Sequence, residues 1–214
     1  QSIFQVDISP KGRFYAVSGY QDVELYDISH QLIWHNRGGF VQGQASRKPI
    51  VFSPDGDFLC IGNLNKKGQI SILNLAKLEI SQELEEHDFF VQDLAFSPDA
   101  SYLVSVGNSP GIIIWQNWRG HFSRYKKIDD AHNQTVFSVA YHPTKQQFLA
   151  GQGDQPDKKE APISTWRLLN KTFWQGQILE GHTDDVYSMA FSPDGKYLAT
   201  GGDGIILWRV ASAG

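Results

Sequence analysis

The stretch Glu180–Arg209, EGHTDDVYSMAFSPDGKYLATGGDGIILWR, constrains this chain more than any other, because weaker copies of it recur upstream. A Gly-His pair leads into a short apolar run, a Ser-Pro-Asp-Gly turn, a second run, a Gly/Asp turn and a third run ending in Trp. The turn prolines Pro10, Pro54, Pro98, Pro143 and Pro193 stand 44, 44, 45 and 50 residues apart. They sit in ISPKG, FSPDG, FSPDA, YHPTK and FSPDG, respectively. The position that ends the third run holds Tyr26, Leu73, Trp115, Trp166 and Trp208. A His precedes the first run as His87, His132 and His182, and is missing from the first two copies. Three markers that keep one order and nearly one period define a repeat. Units of this length cannot bury an apolar face alone, so they stack against one another.

Within each copy the runs are short, rich in β-branched and aromatic residues, and bounded by Gly, Pro and Asp, which predicts strands. Pro presets φ, Asp bonds its own backbone, and Gly accepts φ > 0, so Pro-Asp-Gly predicts a tight turn. One window argues locally for a helix: Leu75–Glu86, LAKLEISQELEE, has helical propensity and apolar residues at Leu75, Leu78 and Leu84. The repeat frame makes it instead the end of one strand, a turn and an outer strand.

These residues resemble the WD-repeat (tryptophan–aspartate repeat) β-propeller family over essentially the whole chain. The resemblance implies an all-β fold of four-stranded antiparallel blades around a channel. It implies a single domain over residues 1–214, with repeats at about 1–34, 35–84, 85–129, 130–179 and 180–214. The name-giving pair is nowhere intact: it reads Tyr26-Asp27, Leu73-Asn74, Trp115-Gln116, Trp166-Arg167 and Trp208-Arg209. The last copy stops after its third run. Three arrangements then stand open: a portion of a ring of about seven blades in a longer protein, closure of five blades alone, or completion by another chain. The first is favoured.

In this family a His, a hydroxyl, an Asp and the Trp form a hydrogen-bonded tetrad within a blade. The resemblance places His182, Thr200, Asp203 and Trp208 there in copy five. Copy three supplies His87, Ser105 and Trp115, with Asn108 near the acidic position. Copy four supplies His132 and Trp166, but Gly151 stands at the hydroxyl position. Copies one and two have Val17 and Ile61 there, so blade two is expected to rely on apolar packing and blade five to be the best ordered.

Several function classes are disfavoured. A net charge of −4 and a pI near 6.0 do not suit phosphate neutralisation, so no nucleic-acid partner is expected. Cys60 is the only cysteine, which excludes an intrachain disulfide and fits a reducing compartment. No run is long and apolar enough to span a membrane, so a cytoplasmic protein is expected. His87, His132 and His182 occupy equivalent places in different blades, so symmetry separates them and no metal site is expected. The serines before the turn prolines are expected to bond the local backbone. There is no G-x-S-x-G elbow and no phosphate-cradling loop. Asp129-Asp130 and Asp184-Asp185 read as solvated loop acids. Neither an enzyme nor a cofactor is expected.

Binding remains. Six residues before each turn proline stand Phe4, Lys48, Gln92, Phe137 and Tyr187. The resemblance puts this register near the channel mouth, where aromatics suit a recognition surface. Asp154–Pro162, DQPDKKEAP, enlarges copy four and offers Lys158 and Lys159 on an exposed loop. Phe90, next to Phe89, is a further candidate. The expected function is a noncatalytic scaffold that docks a peptide or protein on the propeller face. The alternative is a regulatory or sensor module of a larger multidomain enzyme or signalling protein.

Overall fold

The computed structural model describes residues 3–19, 22–37, 48–108, 111–128, 135–153 and 160–210. These residues form five antiparallel sheets arranged as a five-bladed propeller, with no helix among them. Blade one holds β1 (Ile3–Ile8), β2 (Phe14–Gly19), β3 (Asp22–Asp27) and β4 (Leu32–Arg37). Blade two holds β5 (Ile50–Phe52), β6 (Phe58–Gly62), β7 (Gln69–Asn74) and β8 (Glu79–Glu85). Blade three holds β9 (Val91–Phe96), β10 (Tyr102–Gly107), β11 (Ile112–Trp118) and β12 (His121–Ile128). Blade four holds β13 (Val136–Tyr141), β14 (Gln147–Gln152), β15 (Ala161–Leu169) and β16 (Thr172–His182). Blade five has three described strands, β17 (Ser188–Phe191), β18 (Tyr197–Gly201) and β19 (Ile205–Arg209). Consecutive strands pair within every blade. The ambiguous window at 75–86 is a turn plus the outer strand β8; Leu78 turns the corner at φ 56°.

Burial explains the strand grammar. The middle strands β6 and β10 are buried along their whole length, because blades cover both their faces. The outer strand β8 alternates between exposed and covered residues, since one of its faces meets water. Four apolar cores lie at the four blade junctions. The first joins Leu25 and Val23 to Ile61 and Leu73, and the second joins Ile70 and Ile72 to Leu103 and Phe122. The third joins Val104 and Ile114 to Phe148 and Phe173, and the fourth joins Leu149 and Ile163 to Leu198 and Trp208. Each fully buried Ile or Leu contributes ~1.5–3 kcal/mol. The faces of blades one and five that turn away from these junctions carry exposed Val6, Ile8, Ile205 and Leu207.

The Ser-Pro-Asp turn is a closed hydrogen-bond loop. Ser53 Oγ donates to Asp55 Oδ1 (2.5 Å) and accepts from the Phe58 amide (3.0 Å). Ser97 repeats this with Asp99 and Tyr102, and Ser192 with Asp194 and Tyr197. Gly56 and Gly195 take φ of 78° and 69°; Ala100 is forced to 57° in the same slot. The turn serines are therefore held by their own turns.

Polar side chains stitch neighbouring blades near the axis. Gln5 clamps both backbone groups of Ile50, its Nε2 donating to the carbonyl (2.9 Å) and its Oε1 accepting from the amide (3.1 Å). Asp7 accepts from the Phe52 amide and Asp93 from the Val139 amide, and Ser138 Oγ donates to the Val186 carbonyl. Burial is the largest influence on Asp7 and raises its pKa, against the amide bonds that lower it. These bonds hold five inner strands in one relative register, which positions the residues just ahead of them.

Candidate interaction site

Phe4, Lys48, Gln92, Phe137 and Tyr187, one from each repeat, line a single cavity of about 410 Å³ bounded by the inner strands β1, β9, β13 and β17 and the approach to β5. The repeat brings the register together because each blade enters its inner strand with the same geometry. Phe137 and Tyr187 form an aromatic pair, with ring centroids 5.3 Å apart and planes tilted by 58°. Tyr187 is 45% exposed, and its hydroxyl donates to Asp185 (2.9 Å). Gln92 donates to Asn108 (3.2 Å), whose own amide donates to Thr135 (2.9 Å). Phe4 and Gln92 are half-buried.

Lys48 differs from the others. It is buried, and its ammonium donates to the carbonyls of Asn63 (3.1 Å) and Leu64 (3.2 Å). Burial lowers its pKa, and the nearby Asp22 charge opposes that shift. A cation so engaged braces the loop after β6 rather than reaching for a ligand. Its contribution to the cavity is field and shape, whereas the aromatic pair supplies accessible area.

The remaining candidates fall apart in space. Phe90 is half-buried, and its carbonyl packs against Gly107, where a Cβ would come within 2.5 Å. Phe89 is the exposed member of that pair, lying under the Lys67 ammonium at 4.8 Å. Lys158, Lys159 and His132 lie outside the described residues.

The tetrad of blade five is complete. Trp208 Nε1 donates to Thr200 Oγ1 (2.9 Å), and Thr200 Oγ1 lies 2.7 Å from His182 Nε2. His182 Nδ1 lies 2.7 Å from Asp203 Oδ1. A carboxylate can only accept, so Nδ1 carries the proton and, in the neutral ring, Nε2 accepts from Thr200. Asp203 is held at about 2, first by the Thr183 hydroxyl and then by His182. In blade three Ser105 Oγ receives Trp115 Nε1 (2.9 Å) and meets His87 Nε2 (2.7 Å). Asn108 does not occupy the acidic place there: its amide is spent on Gln92 and Thr135, since it lies beyond the end of β10 and faces the cavity. In blade four Trp166 Nε1 donates to Ser164 Oγ (3.0 Å), two residues back on its own strand. That substitute was missed because the repeat alignment looks only at position 151. Strand alternation, which puts residues i and i−2 on one face, could have found it. Among the described residues no group of three or more His, Cys, Asp or Glu is placed to hold a metal ion. No helix is long and apolar enough to cross a membrane.

Repeated four-stranded sheets, stitched near a common axis and opening on a cavity lined by one residue per repeat, define a β-propeller with an interaction surface. Comparison with known proteins narrows the class. A family model described as "WD domain, G-beta repeat" matches residues 174–208, and one described as "Eukaryotic translation initiation factor eIF2A" matches residues 2–118. The chain belongs to the WD-repeat β-propeller family, and over its first half to the propeller group that the second model describes. Protein HIR1 of Eremothecium gossypii is 24% identical over 92% of this chain and 27% of its own length. The transcriptional corepressor LEUNIG_HOMOLOG of Arabidopsis thaliana is 24% identical over 75% of this chain and 24% of its own. Coronin-7 of Rattus norvegicus is 27% identical over 64% and 15%, respectively. The chain thus spans about a quarter or less of these relatives. A chain in the crystal structure of a mitotic checkpoint complex shares the fold, with a TM-score of 0.69 at 20% identity, over 98% of this chain and 75% of that one.

Proposed function

We propose that this chain is a noncatalytic scaffold that docks a peptide or protein segment at the cavity bounded by the inner strands. The observation that carries this reading is the convergence of one register from all five repeats on about 410 Å³, with the Phe137–Tyr187 pair as its accessible aromatic wall. Aromatics give large contact area at low entropic cost, and the polar residues beside them fix orientation. The similarity to a corepressor and to a member of a checkpoint assembly supports a role inside a regulatory complex, and weighs against a purely cytoplasmic setting. Because the relatives are several times longer, the same docking could serve as the regulatory module of a larger protein.

The test is to pan a displayed peptide library against the chain and to measure the enriched peptides against Phe137→Ala with Tyr187→Ala. Loss of binding with an unchanged far-ultraviolet dichroism spectrum is expected. Equal affinity for the double variant would remove this cavity as the site.

The exposed Val6, Ile8, Ile205 and Leu207 support a second contact of another kind. They are the surfaces against which further blades, of this polypeptide or another chain, would complete the ring. A solution mass above one chain at micromolar concentration would support completion between chains.

A further inference from the structure

On the turn-proline side of the molecule, a groove of about 330 Å³ runs between blades four and five. Its floor is apolar: Leu149 and Leu198 are buried, with Leu179, Phe191 and Trp208 packed beside them. Its edge is cationic. Lys145, in the turn after β13, and Arg167, on the face of β15 opposite Trp166, both line it, and Arg209 adds a third basic residue at the lip. None of the three makes a hydrogen bond or ion pair with another described residue. Two of them stand on blade four, all of whose strands are described.

The equivalent places at other junctions are bridged. Between blades three and four Gln146 Nε2 donates to Asp99 Oδ2 (2.8 Å). Between blades one and two Lys11 Nζ donates to the Asp55 carbonyl (3.1 Å). At the junction of blades four and five the corresponding residues are Thr144 and Lys196, and Lys196 turns back onto its own Asp194 (3.3 Å). The groove is therefore left open. Its back wall adds a donor. The Thr144 amide donates to His142 Nδ1 (3.2 Å), so the neutral ring carries its proton on Nε2, which is buried without a hydrogen-bond partner among the described residues.

We propose that this groove binds an acidic peptide segment of a partner protein, with one large apolar side chain on the floor and flanking Asp or Glu carboxylates against Lys145 and Arg167. Charge complementarity selects the occupant. The chain carries a net charge of −4, so an unpaired cationic edge over an apolar floor stands out from its surroundings. The guanidinium of Arg167 offers the fork that carboxylates fit. This site lies apart from the central cavity and shares none of its lining residues.

The experiment is fluorescence anisotropy with a labelled Glu/Asp peptide centred on Phe, compared with the same peptide bearing Lys for each acid and with one bearing Ser for Phe. The acidic Phe peptide should bind, the other two should not, and added salt should weaken binding. Lys145→Glu with Arg167→Glu should weaken it at least ~10-fold. Lys145→Ala with Arg167→Ala should weaken it less, and both variants should keep the parent dichroism spectrum. The Phe137→Ala, Tyr187→Ala protein should bind it as the parent does, which separates this site from the central one. Equal binding of the lysine peptide, or full affinity in the charge-reversed variant, would overturn the proposal. So would a short single-stranded oligonucleotide occupying the groove while the acidic peptide fails.

Discussion

Thr200→Val tests the tetrad most directly. The side chain keeps its shape, so little packing is lost, and only the hydroxyl disappears. That hydroxyl serves two partners, His182 Nε2 at 2.7 Å and Trp208 Nε1 at 2.9 Å. Thr200 is 2% exposed and His182 1%, so water cannot readily replace it. Leaving one buried polar group unsatisfied costs ~1–3 kcal/mol. Trp208 is only half-buried, so its N–H falls at the low end of that range. The expected loss is therefore ~2–4 kcal/mol, a large fraction of the ~5–15 kcal/mol that folded domains possess. Thr200→Ser keeps the hydroxyl and removes one methyl, and should cost about 1 kcal/mol.

Stability in repeat proteins is close to a sum of unit and neighbour terms, so the loss should be local. Urea unfolding gives the magnitude, and hydrogen exchange gives the place: faster exchange in β18 and β19, with β6 and β10 unchanged. A double-mutant cycle with Trp208→Phe should show coupling of ~0.5–3 kcal/mol. If Thr200→Val unfolds at the parental midpoint, the tetrad contributes no net stability and its hydrogen bonds merely replace those to water. If Val and Ser variants fall equally, the methyl and not the hydroxyl is responsible.

Acid sensitivity follows from the same site. Asp203 is held at about 2, against an ordinary unfolded value of ~3.9, so its contribution is present above ~4 and is lost as pH falls toward 2. Asp194, through Ser192 and the Lys196 amide, is also held at about 2; so is Asp99, where hydrogen bonds from Ser101 and Ser97 outweigh the opposing effect of burial. Urea midpoints should therefore drop between pH 4 and 2, and Asp203→Asn should make that drop shallower; an unchanged slope would refute the assignment. Gly151→Ala should destabilise by ~1–3 kcal/mol, because a Cβ there would come within 2.6 Å of Ser138 Oγ and 2.8 Å of Val186 Cγ1; a midpoint equal to the parent would show that the junction between blades four and five can give way.

Much of the fold was legible because its markers are covalent and periodic. The turn prolines and the Trp series fixed where strands begin and end, and the inner-strand register could be counted from them. Function-related detail was legible only where the same register repeats. Phe4, Gln92, Phe137 and Tyr187 converge for that reason. Lys48 belongs to the register by number, yet its burial depends on the carbonyls of Asn63 and Leu64, which no spacing reveals. Ser164 was hidden because it replaces a hydroxyl from a different strand of the blade. Asn108 looked like an acid substitute by proximity, but its amide had better partners in Gln92 and Thr135. The groove at Lys145 and Arg167 arises from bonds that neighbouring junctions make and this one lacks, which only coordinates can show.

The unequal tetrads have a physical logic. Blade two has none, with Ile61 and Leu73 in the relevant places, but both are fully buried, as are Cys60 and Ile72. It lies between two neighbours and so draws on two apolar cores. The buried thiol of Cys60, its pKa pushed well up by burial first and by the Asp55 charge second, behaves as a small apolar side chain. Blade five has one described neighbour, and Ile205 and Leu207 stay in water. There a directional network inside the blade can hold β18 to β19 and to the end of β16 without help from outside. Apolar area stabilises a blade only where a neighbour covers it, whereas a satisfied hydrogen-bond network travels with the blade. The network is complete where the described neighbours are fewest, so disrupting blade five should depend on polar chemistry and disrupting blade two on side-chain volume.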